Sequence, residues 1–110
     1  MSLKIVITGN AEDNLGAIYD YHAAYSLDYA DGFHDKIVKF ITNNLADFPE
    51  SGAIFNPRLG TRRLLYAGNH NIYYIVGGEV AYVLFIIDGR GILNDELREA
   101  GNASIDEIIT

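Results

Sequence analysis

The sequence predicts an α+β domain of the order β-α-α-β-β-β, an antiparallel sheet with an N-terminal helical hairpin packed on one face. Three observations lead there. Residues 61–91 hold three β-rich runs, Thr61 to Tyr66, Ile72 to Val76 and Glu79 to Ile87, each bounded by turn residues. Residues 10–47 carry two stretches with apolar residues at helical spacing. The last strand is apolar at every position, Val80, Tyr82, Leu84 and Ile86 alternating with Ala81, Val83, Phe85 and Ile87, so neither of its faces suits water. The helices are expected to cover one face and a partner at least part of the other.

The elements follow in order. Residues 3–8 form a short strand ending at Gly9-Asn10, and Asn10 is the expected cap of a first helix whose opening turn holds Glu12 and Asp13. Leu15, Ile18, Tyr19 and His22 make that helix's apolar stripe, and it should run to Ala24 or Tyr25. Ser26 or Asp28 caps a second helix with Ala30, Phe33, Ile37, Ile41 and Leu45 on one face and Lys36 and Lys39 toward solvent. It stops before Pro49, which lacks an amide proton and forces its predecessor toward extended geometry. Phe48 to Gly60 reads as a loop with both prolines. The opening strand should join the edge of the meander, and Gly77-Gly78 should supply the positive φ angles of a tight hairpin. Ile92 to Ala100 is expected as a short helix ended by Gly101, with Ile105, Ile108 and Ile109 in a last turn or an acidic tail. All 110 residues are read as one domain, with its core at about 3–91 and the remainder as helix or tail.

Composition narrows the function. Without cysteine there is no disulfide framework, thiolate zinc site or thiol nucleophile. No apolar run approaches the roughly 18 residues of a membrane span, and Met1-Ser2-Leu3 enters a strand with no signal-peptide progression, so the expected location is the cytoplasm. A net charge of -7 opposes general attraction to nucleic acid, although Arg58, Arg62, Arg63 and Arg90 gather around the sheet. His22, His34 and His70 lack metal-ligand spacing, and the glycines lack the pattern of a phosphate-cradling loop, so no metal and no cofactor are expected. His70 is read as a solvated turn residue. Adjacent Arg62 and Arg63 must face opposite sides of their strand, and one of them is expected to pair with a helix carboxylate such as Asp20 or to lie in solvent.

Five phrases in this order resemble the RelE/ParE superfamily of type II toxin-antitoxin modules. They are Leu15-Gly16-Ala17-Ile18-Tyr19-Asp20-Tyr21, Leu45 to Gly52, Leu59-Gly60-Thr61-Arg62-Arg63-Leu64, Ile72-Tyr73-Tyr74 and Val83 to Arg90. The resemblance implies a small bacterial toxin of the plasmid-stabilisation kind, held inactive by a cognate antitoxin. It leaves two targets open, the ribosome for mRNA interferases and DNA gyrase for the ParE-like branch.

The interferase branch uses lysines and arginines on the central strands with a Tyr or His near the C-terminus, to move protons and to stabilise the phosphorane-like transition state. Here the match is poor: Arg62 or Arg63 stands for a basic residue on the second strand and Arg90 sits where the final arginine belongs, but no Tyr or His follows Arg90. Leu64 stands where a lysine is expected, Asn71 where an arginine is usual, and Asp88 where a histidine is common. The sequence therefore favours the ParE-like branch, acting by protein binding rather than turnover, with Arg62, Arg63, Tyr66, Tyr73 and Arg90 as candidate contacts. A ribosome-dependent endoribonuclease using the three arginines, and a non-toxic binding module that pairs as a homodimer, are the alternatives.

Overall fold

A computed structural model of the chain describes residues 3–88. The elements are β1 (Lys4–Ile7), α1 (Gly9–Ala23), α2 (Leu27–Asp47), β2 (Ala53–Asn56), β3 (Thr61–Tyr66), β4 (His70–Gly77) and β5 (Val80–Asp88). The expected order is present with one addition. Strand β2 lies within the stretch read as loop, and it pairs antiparallel with β3 around an irregularity between Ile54 and Asn56. Four residues with an irregular partner are too few to show a period of two, which is why that stretch looked like loop.

The sheet order is β1-β5-β4-β3-β2. Strand β1 runs parallel to β5, and every other pairing is antiparallel. The last strand thus sits inside the sheet, between β1 and β4, and a strand with neighbours on both sides is apolar for the ordinary reason.

Its two faces do not follow simple alternation. Tyr73 pairs with Phe85 but Tyr74 pairs with Val83, so Leu84 is an extra residue in β5. This bulge puts Ala81, Val83 and Ile86 on the helix side, and Tyr82, Leu84, Phe85 and Ile87 on the other. Ile86, expected beside Leu84, therefore changes face. The second face is buried at its centre within the chain itself. Tyr73, Leu84 and Phe85 form a cluster there, and Phe55 and Leu59 from the β2–β3 region pack on it. The apolar character of β5 on both faces consequently does not by itself require a partner.

The helices cover the first face. Ala11 and Leu15 of α1, and Ala30, Ile37, Ile41 and Leu45 of α2, are buried, and most meet Ile72, Tyr74, Ala81, Val83 and Ile86. The cap of α1 is Thr8 rather than Asn10. The Thr8 N–H and hydroxyl both donate to the Val83 carbonyl, at 3.1 and 2.7 Å, and its Oγ1 accepts from the Ala11 N–H at 3.5 Å. Pairing with β5 delivers Thr8 to the capping position, so α1 begins at Gly9, and it ends at Ala23. Ser26 caps α2, its hydroxyl accepting from the Tyr29 N–H. The Asn14 side chain accepts from the Ile86 N–H at 3.0 Å, tying α1 to the strand just past the bulge.

Two turns close the meander. Between β4 and β5 only Gly78 has positive φ, at +62°, while Gly77 ends β4 opposite Val80. The two-residue loop is thus Gly78-Glu79, with the glycine first as a type II′ turn requires. Between β3 and β4, Ala67 and Gly68 both lie at positive φ, at 54° and 79°. The expected helix over residues 92–100 and the last turn or tail lie outside the described residues.

Candidate partner-binding surfaces

The double arginine and the double tyrosine are sorted by strand alternation. Arg62 is the cross-strand partner of Tyr74, and Arg63 that of Tyr73. Residues opposite one another on adjacent strands share a face, and Tyr74 belongs to the helix-side core while Tyr73 belongs to the second cluster.

On the helix side both groups bind backbone. The Tyr74 hydroxyl accepts from the Gly52 N–H at 2.9 Å and donates to the Pro49 carbonyl at 2.8 Å. The Arg62 guanidinium donates to the carbonyls of Gly52 at 2.8 Å and Glu50 at 3.3 Å. Together they hold the turn that joins α2 to β2. Arg62 is thus engaged with carbonyl oxygens, and no helix carboxylate takes part. Tyr66 also faces the helices, its ring 4.8 Å from Phe40 and 5.8 Å from Phe33.

On the second face, Arg63 is exposed and its guanidinium has no hydrogen-bond or ion-pair partner among the described residues. Beside it Tyr73 meets Phe55 edge-on at 4.7 Å. Leu65, two residues along β3, is half exposed. Thr61, at the start of β3, is buried with its hydroxyl unpaired among the described residues. The five candidate contacts are therefore not one patch. Arg63 and Tyr73 share the second face, Arg62 and Tyr66 the helix face, and Arg90 lies outside the described residues.

His70 differs from its expected solvated state. It opens β4, is buried, accepts or donates at Nδ1 to the Asn69 side chain at 2.8 Å, and lies 5.0 Å from the Phe33 ring. A turn-edge position hid this, because only the packing of α2 brings Phe33 over it. Among the described residues no group of three or more metal-ligating side chains occurs, and no helix is long and apolar enough to cross a membrane.

A second surface went unread in the sequence. A groove of about 600 Å³ runs between the helices and β1, with Ile7, Leu15, Gly16 and Val38 as its apolar lining and Glu12 and Asp20 as its acids. A Cβ at Gly16 would meet nothing within 4 Å, so this side of the groove is open. Tyr19 spans the helix pair, its hydroxyl donating to Asp31 at 2.7 Å. That bond, then loss of water around the phenol, then the charges of Asp31 and Asp20, raise the Tyr19 pKa above its ordinary value. Strand β1 is a sheet edge, and nothing among the described residues pairs with its outer side.

Residues 5–93 match the family model described as the ParE toxin of the type II toxin-antitoxin system, parDE. The chain belongs to the ParE toxin family. Two solved structures agree with its fold. One is described as the chromosomal ParDE toxin-antitoxin system from P. aeruginosa, with a TM-score of 0.67 and 24% identity, covering 79% of this chain and 96% of that one. The other is the toxin-antitoxin complex RelBE2 from Mycobacterium tuberculosis, with a TM-score of 0.62 and 15% identity, covering 80% of this chain and 92% of that one. At these identities the likeness is one of fold. No curated protein matches the chain. Membership of the ParE family accords with the β-α-α-β arrangement and with the meander that carries the arginine and tyrosine pairs.

Proposed function

We propose that this ParE-family chain is the cytoplasmic toxin of a type II toxin-antitoxin module, that it inhibits DNA gyrase by binding, and that a cognate antitoxin neutralises it. The observation that carries binding over turnover is the state of Arg62. An interferase needs its cations directed at the scissile phosphate, and here the Arg62 guanidinium is committed to the Gly52 and Glu50 carbonyls. Arg63 then serves as a contact on the second face, with Arg90 as a further contact, since arginine anchors interfaces well, while Tyr73, 6% exposed, supports that face from the buried cluster beneath it. Arg62 and Tyr66 act by shaping the sheet behind them.

For the antitoxin, the groove beside β1 offers an apolar floor next to an open strand edge, which suits a segment that adds a strand and lays apolar side chains alongside. The acids Glu12 and Asp20 favour basic residues at its margins.

The test is induced expression of the chain alone, with growth, plasmid supercoiling and transcript integrity read from the same cultures. Arrest with altered supercoiling and intact transcripts is expected. Arrest with codon-positioned mRNA cuts would overturn the reading in favour of a ribosome-dependent interferase, and unimpaired growth would point to a binding module without toxicity.

A further inference from the structure

The tip of the helical hairpin is strongly aromatic, and its tyrosines are each more than half exposed. Tyr21, Tyr25, Leu27 and Tyr29 are four of the eight large apolar residues exposed among the described residues, and Tyr25 is 82% exposed. They are contiguous in space as well as in sequence. The Tyr21 ring lies 5.8 Å from Tyr25 and 5.5 Å from His22, and the His22 ring lies 4.9 Å from Tyr29. His22 and Tyr29 in turn rest on Phe33, at 4.7 and 6.2 Å, and Phe33 packs against the sheet through Tyr66 and His70. Tyr29 is therefore backed from beneath by Phe33 and Tyr21 is braced by His22, which leaves these two rings less rotamer freedom to lose when something binds, while Tyr25 leans on Tyr21 at the outer edge.

The charge around them has one sign. From Ile5 to Asp35 there is no lysine or arginine, while Glu12, Asp13, Asp20, Asp28, Asp31 and Asp35 are all acidic. Asp20 and Asp28 are exposed beside the rings. An apolar patch of this kind in water marks an interaction site, and the sign of the charge selects the occupant. Two copies of the tip would bring like charges together, and an anionic lipid surface would be repelled. A guanidinium, by contrast, stacks flat on a tyrosine ring while its edge donates to a neighbouring carboxylate.

We propose that the hairpin tip is a docking surface for an arginine-rich segment of a partner protein, with Tyr21, Tyr25 and Tyr29 as stacking platforms and Asp20 and Asp28 as carboxylate acceptors. The surface is separate from the second sheet face, meets the groove beside β1 at Asp20 alone, and does not depend on gyrase being the target.

The test titrates the full chain with two short peptides of equal charge, one alternating arginine with alanine and one alternating lysine with alanine, followed by backbone amide NMR and calorimetry. Tighter binding of the arginine peptide is expected, with shifts centred on residues 20–31. Tyr25→Ala should weaken it about two- to fivefold, and Tyr21→Ala with Tyr25→Ala should remove the preference for arginine. Both side chains are more than half exposed, so the variants keep the fold, and a thermal melt checks this. Asp28→Asn supplies a second test through a weaker salt dependence. Equal affinity for the two peptides, or shifts spread over distant acids such as Glu50 and Glu79, would overturn the proposal. So would concentration-dependent dimerisation of the chain that Tyr25→Ala abolishes, because the occupant would then be a second copy.

Discussion

The two faces of the sheet use the same residue types for opposite ends. Arg62 and Tyr74, cross-strand partners beneath the helices, spend their polar atoms on the backbone of residues 49–52. Arg63 and Tyr73, each one residue away, meet on the other side, where the guanidinium has no partner among the described residues. A strand turns successive side chains to opposite sides, so the doubled arginine contributes one copy to structure and one to a surface, while the doubled tyrosine contributes one ring to each buried cluster. Counting arginines and tyrosines therefore overstates the size of any one site.

The largest effect that would break this contrast is expected at Gly52. A Cβ there would lie 2.7 Å from the Tyr74 hydroxyl and 2.9 Å from the Arg63 carbonyl, and the second of these is backbone that cannot step aside. Gly52→Ala should cost about 3 kcal/mol in denaturant unfolding, an overpacking penalty. Next come the two tyrosines. Tyr74→Phe leaves the Gly52 N–H and Pro49 carbonyl without their partner and should cost about 2 kcal/mol. Tyr73→Phe keeps the ring against Phe55 and should change stability by less than about 0.5 kcal/mol. Equal losses from the two would show that both faces are structural.

The arginines give a smaller version of the same comparison. Arg62→Ala should lose about 1 kcal/mol through its two carbonyl bonds, whereas Arg63→Ala should leave the melt within about 0.5 kcal/mol. If Arg63 is a contact, its substitution weakens growth arrest instead. The smallest effect is expected away from the sheet. The Tyr19 pKa is raised in the fold by its bond to Asp31, so the neutral phenol is the favoured form. A raised pKa adds stability that is fully present below the unfolded value of about 10 and is lost as pH climbs through the folded one. Tyr19→Phe should flatten that alkaline limb of the stability profile and leave neutral pH little changed.

Much of this architecture was legible. Helical spacing marked the buried faces of both helices, Pro49 set the end of the second, and turn residues separated the strands of the meander. The family phrases pointed to the RelE/ParE superfamily, the missing interferase residues at Leu64, Asn71 and Asp88 favoured its ParE-like branch, and residues 5–93 match the ParE family. What escaped reading depended on distant partners. Strand β2 exists because β3 lies beside it, Thr8 caps α1 because Val83 holds it, and His70 is buried because α2 lays Phe33 across it. The groove beside β1 needs residues from β1, α1 and α2 at once, and no local pattern predicts such a convergence.

By itself the sequence determined the periodicities, and with them the helices, the meander and the rule that Arg62 and Arg63 must part. Only the tertiary structure decided which of the two went to which side, and it did so through the Gly52 and Glu50 carbonyls that claim Arg62. It also decided the faces of β5, where the extra residue Leu84 breaks alternation and carries Ile86 to the helix side. The physical reason is common to both. Alternation is a local property of the chain, whereas register and hydrogen-bond partnership are set between segments that meet only when the chain is folded.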